Sequence, residues 1–181
     1  GIDSVFVNDD TNLQKGSAYN QTNFMQKIRY KLNNDWDFEY GFHYSNTTDV
    51  PRYDRVAQMS GGKPKYGDWY YGPQKWIMHN VTATNFSNSG IYDISKLIVA
   101  YQKFEESRHD RKLNKSSRTN TMEKVDAFSV NLDFIKNITE SSQLFYGAEV
   151  LLNKVGSTGT SENIKTGKIA PDASRYPDGS T

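Results

Sequence analysis

The sequence predicts an all-β chain, an antiparallel up-and-down meander of about six strands. Three observations carry that reading: apolar residues recur with a period of two, turn residues fall at hairpin spacing, and the connections alternate between short and long. The clearest alternation runs from Phe24, with Gln26, Ile28, Tyr30 and Leu32 set against Met25, Lys27, Arg29 and Lys31. After the turn Asn33-Asn34-Asp35 come Trp36, Phe38, Tyr40, Phe42 and Tyr44, opposed by Asp37, Glu39, Gly41, His43 and Ser45. A period of two places successive side chains on opposite faces of a strand, so the two segments form a hairpin.

The pattern returns toward the other end of the chain. Phe128, Val130, Leu132 and Phe134 alternate with Ala127, Ser129, Asn131 and Asp133, and a turn at 137–142 leads into Leu144, Tyr146, Ala148, Val150 and Leu152. A middle hairpin is expected over 75–86 and 94–104, joined by 87–93. There Ile77, Val81 and Ala83 compete with Trp76 and Met78 for one face, and the sequence leaves the faces open. Two connections, 47–72 and 105–122, are long and polar, and two further long stretches, 1–20 and 156–181, flank the set.

Composition narrows the class. Hydrophobic residues make up 35% of the 181, yet twelve Tyr and nine Phe lift the aromatic share to 13%. No run of about 20 apolar residues exists, which excludes a membrane-crossing helix. A polar chain rich in aromatics, with strands of about ten residues and asymmetric connections, fits a segment of a transmembrane β-barrel with long extracellular loops. Short turns would then face the periplasm and long loops the outside. Cys is absent, which removes disulfides and thiol chemistry. Lys and Arg total 22 against 21 Asp and Glu, well mixed, so no basic face marks a nucleic-acid partner. Residues 1–8 carry neither a basic nor a long apolar region, whereas a barrel needs a secretion signal; the expectation is a chain processed or cut from something longer.

Three polar stretches are the candidates for ligand binding. In the first, Arg52, Tyr53, Asp54 and Arg55 follow Pro51 and could offer guanidinium groups to an anionic ligand such as a carboxylate-bearing chelate. The competing reading is a loop stiffened by its own ion pairs. In the second, Trp69 and Tyr70 could stack on a planar ligand or sit in an interfacial girdle. In the third, Arg108, His109 and Arg111 lie in an acidic and basic stretch whose spacing matches no metal motif. No nucleophile–base set, hydrolase elbow or phosphate loop is present, and the chain reads as a non-enzyme with no cofactor and no metal site.

Four ordered stretches, Ser45 to Arg55, Trp69 to Lys75, Glu105 to Arg111 and Ser174 to Gly179, resemble segments of TonB-dependent receptors of the Bacteroidetes type. The resemblance covers most of the chain from about Ser17 onward. It implies an outer-membrane transporter taking up a scarce nutrient, by default an iron complex (siderophore or haem), powered by the TonB complex through a plug domain. Residues 1–181 would form part of one barrel domain in the bacterial outer membrane, the plug domain and remaining strands lying outside them. The implied partners are outer-membrane lipid, the protein's own plug domain, the TonB complex and a small nutrient ligand. Two other readings stand beside it: a porin-like or adhesin-like barrel, and a soluble β-sandwich with Phe38, Tyr40, Phe42 and Phe128 in its core.

Overall fold

The computed structural model describes residues 2–180. Six long strands dominate: β1 (Gln21–Lys31), β2 (Trp36–Thr47), β7 (Lys75–Phe86), β8 (Ile94–Lys112), β9 (Ser117–Thr139) and β10 (Ser142–Asn163). Between β2 and β7 lie β3 (Val50–Pro51), the single-turn helix α1 (Tyr53–Val56), β4 (Met59–Ser60), β5 (Lys63–Pro64) and β6 (Tyr66–Tyr71), and β11 (Ile169–Asp172) follows β10. Each long strand pairs antiparallel with its sequence neighbours, giving the order β1-β2-β7-β8-β9-β10-β11. β6 adds to the far end of β8 and in turn pairs with β3. The β4–β5 ribbon turns at Gly61 and Gly62, both with left-handed φ (60° and 74°), where a side chain would be strained.

Register decides which side chains share a face, because opposed residues of an antiparallel pair point the same way. Following it across the sheet yields three rows on one face. Tyr30, Phe38, Ala83, Leu97, Leu132 and Ala148 form the first, and Ile28, Tyr40, Val81, Val99, Val130 and Val150 the second. Gln26, Phe42, His79, Tyr101, Phe128 and Leu152 form the third. On one side these rows are bordered by Trp36, Phe134 and Tyr146, and on the other by Lys103, Asp126 and Lys154. The opposite face reads Arg29, Glu39, Thr82, Ile98, Asn131, Glu149 in one row and Lys27, Gly41, Asn80, Ala100, Ser129, Leu151 in the next. One face is therefore apolar and aromatic, the other mostly polar.

No described residue covers the apolar face. No hydrophobic side chain among the described residues is buried, and Ile28, Val81 and Val150 are 53%, 48% and 58% exposed. The buried non-glycine residues are all polar: Asp37, Thr47, Thr82, Asn85, Ser107, Arg111, Glu123 and Ser157. Burial is thus inverted relative to a water-soluble domain, in which apolar residues lead the buried set. Phe38, Tyr40, Phe42 and Phe128 form no core; they line an open surface. The sheet also stays open. All of β1 offers an unpaired outer edge, and β10 is unpaired along its outer edge until Val155 meets Ser180 and Gly159–Glu162 meets β11.

In the middle hairpin β7 falls at the expected 75–86 and β8 starts at the expected 94 but overruns 104, and the faces are now assigned. Ile77, Val81 and Ala83 join the apolar side; Trp76 and Met78 join the polar side, where Trp76 Nε1 donates to Gln102 Oε1 at 3.2 Å. Two expectations need correction. Residues 105–122 are not a long loop: β8 runs to Lys112, a tight turn at 113–116 with Asn114 at φ 59° reverses the chain, and β9 starts at Ser117. The stretch 156–181 likewise continues β10 to Asn163 before turning into β11. Alternation there is polar on both faces, which hides a strand from a hydrophobicity pattern.

Candidate functional site

Beyond the apolar rows, the ends of β8, β9 and β10 with β6 and α1 take part in most of the ion pairs and cation–π contacts among the described residues. Register splits them. Tyr71 pairs with Arg108 and Trp69 with Asp110, on the mostly polar side; Tyr70 pairs with His109 and Asp68 with Arg111, on the other. The candidates therefore fall into two sites back to back, not one.

On the polar side, Arg52 is the hub. Its Nε and Nη2 donate to the two carboxylate oxygens of Asp54, both at 2.7 Å, and its Nη1 donates to the Tyr71 hydroxyl at 3.1 Å. The guanidinium lies 5.6 Å from the Trp69 ring centre and 5.4 Å from that of Tyr71, within cation–π range. Arg55 approaches Trp69 at 5.7 Å and Arg108 approaches Tyr71 at 5.2 Å. Trp69 and Tyr71 meet edge to face at 5.0 Å. Their spacing of two on β6 puts both rings on the same face, and Arg52 N donating to Trp69 O at 3.0 Å ties α1 to that strand. The Asp54 hydrogen bonds hold the Arg52 guanidinium above its ordinary range and the Asp54 carboxyl below its own. Tyr53, 48% exposed, sits in α1 and joins no ring pair or ion pair among the described residues.

On the other side, Arg111 is the centre and only 6% of its side chain is exposed. It donates from Nε to Asp68 Oδ2 at 3.0 Å, and from Nη1 and Nη2 to the Asp3 carboxylate at 2.9 and 2.7 Å. Arg118 Nη2 shares Asp68 Oδ2 at 3.1 Å. His109 stacks on Tyr70 at 4.6 Å, with Nε2 against Ser107 Oγ (2.9 Å) and Nδ1 against Asn120 Oδ1 (2.6 Å). Both ring nitrogens are engaged, so neither is free for a metal. Hydrogen bonding from Arg111 keeps the Asp3 carboxyl below its ordinary range, and burial pushes the Tyr70 hydroxyl up. This is a stabilising network that ties residues 2–3 and the strand ends together.

No protein-family model matches this chain, and no curated protein does either.

The polar-side cluster is the better candidate for binding. It gathers Arg52, Asp54, Arg55, Trp69 and Arg108, five of the nine candidate residues, and adds three from outside that set: Tyr71, Glu106 and Arg175. Arg175 arrives from the far end of the chain, its Nη1 3.5 Å from Glu106 Oε1, and Arg108 Nη2 lies 3.7 Å from the same oxygen. The Arg108 Nε is buried with no hydrogen-bond partner. Toward the apolar rows, on the same face, a cavity of about 410 Å³ is lined by Tyr19, Trp76 and Phe104 together with Gln21, Ser45, Thr47, Val50 and Gln74. Guanidinium groups beside flat rings suit an anionic, planar ligand. Only the strand register brings Glu106 and Arg175 to this place, and no local motif marks it.

Proposed function

We propose that this chain is part of the wall of an outer-membrane β-barrel, and specifically of a TonB-dependent transporter that imports a scarce nutrient. The observation that carries the barrel reading is the inverted burial: a mostly apolar and aromatic face across six strands stands exposed while the buried non-glycine side chains are polar. Lipid is the solvent in which such a face is stable, with the mostly polar face turned to a wet interior. In lipid the unpaired edges of β1 and β10 must meet further strands, since open backbone edges are not tolerated there. The transporter reading rests on the four receptor-like stretches, and the arginine–aromatic cluster gives the barrel interior a surface for an anionic ligand. An iron complex, siderophore or haem, is the ligand class proposed, and the TonB complex and a plug domain are the partners.

Cell fractionation followed by uptake tests this. The intact polypeptide should sediment with outer membranes and change gel mobility on boiling. Deleting its gene should abolish growth on an iron complex as sole iron source, and loss of TonB should do the same. Recovery from the soluble fraction would overturn the barrel. Uptake that survives loss of TonB would leave a barrel of the porin or adhesin type.

A further inference from the structure

Glu123 is a buried acid without a partner. It is 4% exposed, and neither carboxylate oxygen has a hydrogen bond. Register sets it directly opposite Glu106 on β8 and Ser157 on β10, on the mostly polar face and beyond Phe128, away from the apolar rows. Like charges directly opposed across strands are unfavourable, and a buried, unpaired carboxylate prefers its neutral form. Glu106, itself a carboxylate, has no donor to offer, and both Arg108 and Arg175 go to its Oε1 and not to Glu123.

The segment 174–180 pairs along the outer edge of β10 beside this row and sends Arg175 across it to Glu106. Val155 N donates to Ser180 O at 2.8 Å, and Gly179 N to Val155 O at 2.9 Å. Ser157 N donates to Asp178 Oδ1 at 3.0 Å, and Tyr176 N to Ser157 Oγ at 3.2 Å. Arg175 stacks on its neighbour Tyr176 at 4.8 Å while reaching Glu106. The charged groups acting on Glu123 are Glu106 and Arg108 from β8 and Arg175 from the segment; β10 contributes the neutral Ser157, to which Tyr176 N and Asp178 bond.

We propose that Glu106 and Glu123 form a one-proton site that latches residues 174–180 across the polar face, beside the arginine–aromatic cluster. With the proton on Glu123, the pair carries one negative charge, and Arg175 stays on Glu106. Loss of that proton to water leaves two carboxylates face to face, the inner one dry, so the segment lifts to let water or an arginine reach it. Burial first, then the charge of Glu106, pushes the Glu123 carboxyl above its ordinary range, with Arg175 and Arg108 opposing. A raised value in the closed state means that closure is favoured at acid pH and weakens as pH rises from the ordinary carboxylate range through the raised value. Lifting the segment uncovers Arg108 and frees Arg175, so the latch sets how much positive charge the cluster presents. As regulation of that site it rests on the transport reading.

Hydrogen exchange on the intact protein in lipid, divided by the intrinsic rate at each pH, reads the latch without any uptake. From about pH 5 to about pH 8, the amides of Tyr176 and Gly179 should lose protection several-fold while those of β9 hold steady. Glu123→Gln, which mimics the protonated acid, should keep the segment closed at both ends of that range. A flat wild-type profile, or a Glu123→Gln protein with an unchanged slope, overturns the proposal. Infrared spectroscopy of the wild type supplies a check that needs no variant: the band of a protonated carboxylic acid should persist above the ordinary carboxylate range, and its absence there refutes the proton on Glu123. Exchange that follows pH in a protein that fails the uptake test would sink the transport reading and leave the latch standing.

Discussion

Val130 and Ser129 are neighbours on β9 that point to opposite faces, so one substitution made at both separates the two sides of the sheet. Val130 lies in the central apolar row, opposite Val99 and Val150; Ser129 lies opposite Ala100 and Leu151 on the other face. If the apolar rows meet lipid, Val130→Arg puts a guanidinium near the middle of the bilayer. That should lower stability by about 2–4 kcal/mol, whereas the same charge in a wet interior is tolerated. At about 1.4 kcal/mol per factor of ten, the folding equilibrium falls by roughly 30-fold to 700-fold for Val130→Arg. Ser129→Arg, facing water, should stay within about 0.5 kcal/mol of the parent. Urea-dependent refolding of the intact polypeptide into phospholipid vesicles, followed by tryptophan fluorescence and by gel mobility with and without boiling, measures both. Equal effects at the two positions would refute the assignment of faces. Cooperative folding of the parent in buffer free of lipid and detergent would refute the assignment of solvent.

Three further outcomes are expected. Arg111→Met should loosen the strand ends by about 2–3 kcal/mol, short of the full penalty for an unpaired buried charge because Asp3 and Asp68 keep some access to water; proteolysis near residue 3 is the readout. The same tether is present at neutral pH and lost as pH falls through the lowered Asp3 value, so residues 2–3 should release only in strong acid. Gly72→Ala would set a Cβ 2.0 Å from Ser107 Oγ and 2.9 Å from His109 Nε2, and should cost about 1–3 kcal/mol by overpacking, visible as a lower thermal midpoint. Arg52→Lys keeps the charge but loses the paired bonds to Asp54 and the flat stack on Trp69 and Tyr71, so ligand binding should fall about as far as in Arg52→Ala.

Strands with one apolar and one polar face were legible; strands polar on both faces were not. Phe24 to Tyr44 and Phe128 to Leu152 alternate because one side is apolar, and the structure places strands there. Glu105 to Met122 offers no such contrast. Glu106, Arg108 and Asp110 share one face, and Ser107, His109 and Arg111 share the other, so a period of two is present in geometry but absent in hydrophobicity. The candidate site suffered in the same way. Arg52, Arg55 and Trp69 were visible as an unusual local composition, but Tyr70 and Tyr71 could be assigned to opposite faces only once the β6–β8 register was known. Glu123 carried no local signal at all. Its lack of a partner follows from Glu106 lying 17 residues earlier in the chain and Arg175 lying 52 later, and from both guanidinium groups choosing Glu106.

Strand length accounts for where the sites lie. β9 spans 23 residues, about 75 Å at the usual rise, whereas a tilted strand crosses a bilayer in roughly 9–11 residues. The apolar rows occupy only Phe128 to Phe134 of that strand. More than half of β9 must therefore stand in water if the barrel reading holds, and a two-sided wet sheet has no apolar side to bury. Its order has to come from polar groups. That is what Arg111 with Asp3 and Asp68, His109 with Ser107 and Asn120, and Arg118 with Glu162 supply on one side. On the other side the arginines are shared among carboxylates and rings, and one acid is left unpaired. An Arg111-centred network backing one that holds an unpaired acid is an arrangement in which the second can respond to a ligand or a proton while the first keeps the strands in register.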